Sequence, residues 1–225
     1  MKSNSLFYIT AALMLGCFSL GAHAQSQTPA CNKTVYLTFD TGNMSVAQKV
    51  AEILKRQNVK ATFFLANEKT FRGDYALDDS WKPYWQELAK EGNHFGSHTY
   101  DHTYFVKDGP KGEVFEKPQF GPKAGMTVLY NEAAICKEIR RADQRFQELT
   151  NQPLQKIWRA PGGKTSPTLI RMGDMCGYRH IGWAPAGFLG DELNSDKYPN
   201  QALLEKASKD RKSTRLNSSH GYRSR

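Results

Sequence analysis

Short runs of aromatic and β-branched residues alternate with segments of helical period along most of this chain, and that alternation restricts its fold more than any other feature. Thr34–Phe39 reads as a buried strand, with Val35, Tyr36, Leu37 and Phe39 favouring an extended backbone. Gly42-Asn43 turns the chain, and Ser45 is placed to cap a helix to about Gln57, with Val46, Val50, Ile53 and Leu54 on one face. Lys60–Leu65 is the next strand, Phe71–Ser80 a polar irregular stretch, and Trp81–Lys90 a helix stopped by Gly92. His94-Phe95-Gly96 forms a short strand. Lys107–Gly125 holds three Pro and four Gly in 19 residues and reads as a long loop. Val128–Leu149 reads as a strongly amphipathic helix, with Ile135, Ile139, Ala142, Phe146 and Leu149 at three-to-four spacing. Lys156–Arg159 and Tyr178–Trp183 read as strands, and Pro167–Met175 and Gln201–Ala207 as helices. Strand and helix in alternation make βα units and a mainly parallel sheet, whose functional groups gather beyond the carboxyl ends of the strands.

Three groups of chemically capable residues fall at or just past such ends. His98-Thr99-Tyr100-Asp101-His102 places two imidazoles four residues apart, a spacing that on one face of a helical turn lets both converge on a divalent metal. Thr38-Phe39-Asp40-Thr41-Gly42 ends a strand in a carboxylate and a turn, and Arg159-Ala160-Pro161-Gly162-Gly163 follows another strand. Each has an ordinary use: a surface histidine pair, an Asx turn, a structural ion pair. Together and in this order they are more specific, and they point to metal-assisted hydrolysis.

The order of these motifs resembles that of polysaccharide deacetylases of the NodB homology family, carbohydrate esterase family four. That family reads as a T-F-D-D-G strand end, an H-(S/T)-x-x-H pair, an R-x-P-x-G loop, a Trp/Asp segment and a final L-x-x-H. Val59-Lys60-Ala61-Thr62-Phe63-Phe64 and Glu91-Gly92-Asn93-His94-Phe95-Gly96 are similar to its linking text, and the likeness runs from about Thr34 to Ala207. The resemblance implies an α/β fold, a distorted and incomplete (β/α) barrel. It implies a divalent metal, zinc, held by His98 and His102, with Asp40 as catalytic base and Arg159 holding that base. The backbone N–H of Gly162 falls where the family stabilises the oxyanion, although the family usually carries an aromatic side chain there. Trp183 is a candidate for the sugar site, or else a core aromatic, and Asp191 is the nearest candidate for the orienting carboxylate. The implied activity is hydrolysis of N-acetyl groups, carbon–nitrogen bonds, on an N-acetylated polysaccharide or oligosaccharide: peptidoglycan, a chitin-like oligomer or an exopolysaccharide.

The sequence departs from the family pattern twice. The family's second Asp is a metal ligand, and here it is Thr41, a neutral and weak donor. Asp40 then binds the metal directly with water in the gap, or His94 supplies a third imidazole, or the site binds weakly and the chain is a degenerate member acting as a carbohydrate-binding or structural protein. His180, Tyr100 and Asp101 receive no catalytic role, though Asp101 is near enough to support a ligand. Secondly, no L-x-x-H follows Asp191, and the single later histidine is His220. The expected barrel is therefore truncated at its C-terminus, lacking its general acid and leaving a sheet edge exposed.

The ends of the chain read differently from its body. Lys2, the mostly apolar Leu6–Leu20 and the A-x-A site Ala22-His23-Ala24 mark residues 1–24 as a secretory signal, with a lipoprotein alternative at Gly16-Cys17 and no stable membrane span. The expected location is periplasmic or extracellular. Residues 25–33 are a short linker, 34–208 the deacetylase-like domain and 209–225 a non-native or disordered basic tail resembling translated adapter sequence. Of the formal charge of +9, that tail carries five units (six Lys/Arg against one acidic residue) and Lys2 one, leaving three on the body. No basic patch there argues for a nucleic-acid partner. Beyond the signal, Cys31, Cys136 and Cys176 form an odd set whose pairing stays open.

Overall fold

The structure, a computed structural model, describes residues 35–183, 195–209 and 215–219. The signal segment, the linker, Cys31, Asp191 and His220 lie outside the described residues. Strand β1 (Tyr36–Asp40), helix α1 (Ala47–Gln57), β2 (Thr62–Leu65), α2 (Lys82–Lys90) and β3 (His94–Ser97) come first. Three strands follow, β4 (Thr103–Asp108), β5 (Val114–Pro118) and β6 (Val128–Tyr130), then α3 (Glu132–Thr150), β7 (Ile157–Trp158), α4 (Pro167–Met175) and β8 (Arg179–His180). Helix α5 (Asn200–Lys209) and β9 (Arg215–Ser219) complete the described elements.

Six strands form a parallel sheet in the order β8-β7-β3-β2-β1-β9, and β4-β5-β6 form a separate antiparallel sheet. From β1 to β8 the chain steps along the large sheet one strand at a time, a helix at each crossover, as expected for an incomplete (β/α) barrel, whereas β9 lies at the far edge beside β1. The pleat sorts the side chains. Phe39, Phe63 and Phe95 project from three neighbouring strands toward the helices and stack, with centroids 5.3 and 5.7 Å apart, and Phe146 of α3 closes on Phe95 at 4.6 Å. All four are buried, each worth roughly 2–3 kcal/mol of apolar transfer. Thr38, Asp40 and Phe64 alternate to the other face, and there they meet Arg159.

Several expected elements are redrawn. The stretch read as a loop from Lys107 to Gly125 carries β5 and the end of β4, which pair from Thr103↔Pro118 to Asp108↔Val114 with a register shift near Val106. Pro118 ends β5, Pro110 and Pro122 lie in the turns on either side of it, and the positive-φ glycines are in turns too, so neither residue type breaks the ladder. The helix expected from Val128 begins at Glu132, because Asn131 caps it by accepting from Ala134 N–H at 3.0 Å; Val128–Tyr130 is strand β6 instead. Ser45 does not cap α1: its own N–H donates to Asn43 Oδ1 at 3.0 Å, an Asx turn, and the helix starts two residues later. The strand expected over Tyr178–Trp183 is confined to Arg179–His180. Within the basic segment expected to stand outside the fold, Arg215–Ser219 lie in parallel register with Tyr36–Asp40. This pairing covers the outer edge of β1, and the opposite edge of the sheet is β8.

Cys136 on α3 and Cys176 at the end of α4 form a disulfide, with Cα atoms 5.3 Å apart, so two of the three cysteines pair. Among the described residues, no helix is long and apolar enough to cross a membrane.

Candidate active site

Asp40 is the last residue of β1, His98 follows β3 directly, and Arg159 follows β7. Strand pairing therefore aims all three at the same end of the sheet. Arg159 is fully buried, and its Nη1 donates to Asp40 Oδ1 at 2.8 Å and to Thr38 Oγ1 at 3.0 Å, while Nε donates to the Ile181 carbonyl at 3.0 Å. Its guanidinium lies 4.0 Å from the Phe64 ring centroid and 5.3 Å from that of Trp183. Such a pair is costly to desolvate and is kept only with close hydrogen bonding, which it has here.

The same residue fixes His98. The Arg159 carbonyl oxygen stands 2.9 Å from His98 Nδ1, and since a carbonyl only accepts, Nδ1 carries the proton. Burial holds the His98 pKa below its ordinary value, opposed by the Asp40 charge and this hydrogen bond. The ring is then neutral, and Nε2 presents a lone pair toward Asp40 Oδ2 across 3.9 Å.

The histidine pair is brought together otherwise than expected. His98–His102 is no helical turn; Thr99 and His102 adopt left-handed backbone, φ 60° and 49°, and fold the segment tightly. The rings nevertheless meet edge to face, centroids 4.9 Å apart at 67°. His94 lies at the opposite end of β3, exposed and 2.9 Å from Gln155, and so is no third imidazole for this site. Asp101 turns toward Arg141 at 3.1 Å and buttresses the loop from behind. His180, whose pKa is pushed down to about 4 by burial and by the Arg159 charge, accepts from Ala160 N–H at 3.2 Å and steadies the Arg159 loop.

One carboxylate was missed from the sequence. Glu68, three residues beyond β2, places Oε1 3.9 Å from His102 Nε2 and accepts from the Thr41 hydroxyl at 3.0 Å. Its position past the carboxyl end of a parallel strand is the signal that could have found it.

Two positions near the Arg159 loop depend on glycine. Gly162 has φ 64°, and a Cβ there would stand 2.7 Å from Tyr104 Cε1. The Tyr104 ring thus takes the space beside residue 162, and it packs edge-on to His102 at 5.0 Å. A Cβ at Gly163 would stand 2.6 Å from Trp183, so this half-buried ring covers the loop and Arg159 together.

The donors suit a divalent cation. Two imidazoles lie side by side, with a carboxylate beyond each. Both nitrogen–carboxylate gaps are 3.9 Å, against about 3.3 Å for donors sharing a tetrahedral zinc. Among the described residues no three such groups stand close enough together to hold an ion, so each gap would have to shorten by roughly half an ångström for one to bind. His98 and His102, with Glu68 or Asp40, are the residues that would hold the ion.

The sequence profile of the polysaccharide deacetylase family matches residues 27–181. The chain belongs to that family. A peptidoglycan-N-acetylglucosamine deacetylase of Bacillus cereus is 21% identical over 70% of this chain and 60% of its own length. The fold is similar to that of the Xyl-CE4 domain of a multidomain xylanase from the hindgut metagenome of Trinervitermes trinervoides (TM-score 0.61, 20% identity, 85% of this chain and 75% of that one). It is similar also to a CE4 family pseudoenzyme from Bacillus anthracis (TM-score 0.59, 18% identity, 84% of this chain and 56% of that one). The chain spans about half the length of several curated relatives it matches.

Proposed function

We propose that this polysaccharide deacetylase family member is an exported, divalent-metal-dependent hydrolase that removes acetyl groups from N-acetylated amino-sugar polymers. The observation carrying this reading is Asp40, gripped by Arg159 at 2.8 Å and facing the neutral His98 Nε2 across 3.9 Å. That geometry supports a base beside a nitrogen able to bind metal, in one buried corner. The Cys136–Cys176 disulfide supports the export part, since such bonds persist in oxidising compartments.

A bound zinc supplies a Lewis acid that activates water and polarises the acetyl carbonyl. The chain's own residues account for proton abstraction, oxyanion binding and contact with the sugar. Asp40 Oδ2 takes the proton of the attacking water, and Arg159 holds the carboxylate in place through Oδ1. Gly162 N–H is assigned to the developing oxyanion, and Trp183 to the sugar face. The relatives' printed substrates, peptidoglycan N-acetylglucosamine and chitooligosaccharide, make N-acetylglucosamine polymers the first to test. Acetate release from such oligomers by the zinc-loaded protein, lost in Asp40→Asn, is the expected result. No release from any N-acetylated oligomer would sink the reading.

Thr41 favours a second reading, a carbohydrate-binding protein on the same fold without turnover. Oligomer binding by calorimetry, with neither zinc uptake nor acetate release, would select it.

A further inference from the structure

The segment carrying Glu68 is tied to the histidine turn by its backbone. Asn67 N–H donates to the Tyr100 carbonyl at 2.8 Å, Asn67 Nδ2 to the Tyr100 hydroxyl at 3.1 Å, and Ala76 N–H to the Glu68 carbonyl at 2.8 Å. His98 N–H donates to the Leu65 carbonyl at 2.8 Å. Residues 65–68 and 98–102 are therefore one hydrogen-bonded unit, and Glu68 Oε1 ends 3.9 Å from His102 Nε2 with both side chains nearly buried.

Thr41 is committed elsewhere. Its Oγ1 accepts from Ala66 N–H at 2.8 Å and donates to Glu68 Oε1 at 3.0 Å. A neutral hydroxyl so engaged is a poor ligand, but it is well placed to hold a carboxylate that is a good one. Two carboxylates at 41 and 68 would repel within the same enclosure, so Thr at one position and Glu at the other form a compatible pair.

We infer that Glu68 is the third protein ligand of the metal in this chain, beside His98 and His102, and that Thr41 is the residue positioning it. The inference rests on the metal-dependent reading above and gives it a ligand set. It leaves Asp40 outside that set, as the base.

The test is zinc binding by the metal-stripped full chain, titrated with Zn²⁺ against a chromophoric chelator, so that turnover is not the readout. The wild type is expected to take up about one ion. Glu68→Gln should bind at least ~100-fold more weakly and Thr41→Val ~10-fold more weakly, while Asp40→Asn stays within ~10-fold of wild type. The double variant Thr41→Asp/Glu68→Gln should recover most of the affinity, which loss of folding in Glu68→Gln could not mimic. Wild-type affinity in Glu68→Gln, or loss confined to Asp40→Asn, overturns the inference while leaving the metal reading standing. A wild type that binds no zinc overturns both.

Discussion

The site has two halves built by different means. Asp40, His98 and Arg159 sit at the ends of β1, β3 and β7, and regular parallel pairing sets their directions. His102 and Glu68 owe their positions to a turn with left-handed residues at 99 and 102 and to hydrogen bonds such as Thr41 to Glu68 and Asn67 to Tyr100, with Tyr104 of β4 packed beside His102. The strand-end half is anchored by the sheet. The turn half is held by main-chain bonds between residues 65–68 and 98–102 together with side chains, and single substitutions of those side chains should loosen it without unfolding the protein.

The largest expected effect falls on the strand-end half. Arg159→Leu strands the buried Asp40 charge and should cost about 3–5 kcal/mol in denaturant unfolding, with acetate release down by ~10³ or more. A cost no greater than that of Thr41→Val would erase the distinction between the halves. Next comes the brace behind the same half. The Cys136–Cys176 bond closes a 40-residue separation, and Cys136→Ser/Cys176→Ser should lose about 2–4 kcal/mol, read from urea midpoints. Zinc affinity should hold, since neither cysteine touches the turn half.

A smaller, pH-dependent effect probes the turn half. Glu116 of β5 is buried beside Thr103, the residue after His102. Burial lifts its pKa from 4.5 to about 8, with the Thr103 hydrogen bond opposing and the Glu138 charge adding. The folded state thus keeps a proton that the unfolded chain releases above 4.5. This contribution to stability is full below pH 4.5 and declines toward pH 8. Glu116→Gln should flatten that decline by roughly 1–4 kcal/mol between pH 5 and 8, seen as Tm against pH. An unchanged slope would remove Glu116 as its source. The smallest effect joins the halves: Gly162→Ala strains a φ of 64° and pushes Tyr104 against His102, for about 1 kcal/mol and a modest loss of zinc affinity. A fully wild-type affinity would show that the halves are mechanically independent.

The two halves also differed in how far the sequence revealed them. Asp40 and Arg159 were readable because an apolar run ending in a charged residue marks a strand end, and that rule needs no tertiary knowledge. The parallel sheet followed from strand–helix alternation for the same reason. Glu68 was not readable, because its approach to His102 depends on the Asn67–Tyr100 contact between segments about 30 residues apart. The histidines were found by spacing, but the backbone joining them was misjudged, since a helical turn and a left-handed turn both bring residues four apart together. The antiparallel sheet was hidden by Pro110, Pro118 and Pro122, whose turn signals outweighed its short, half-buried strands.

Arg159 touches Asp40 with its guanidinium and His98 with its carbonyl. In the proposed mechanism, proton abstraction and cation grip would therefore share a single mount. Any shift of the loop after β7 displaces both together, so an engineer, or natural drift, cannot retune one through that loop while the other stays as it was.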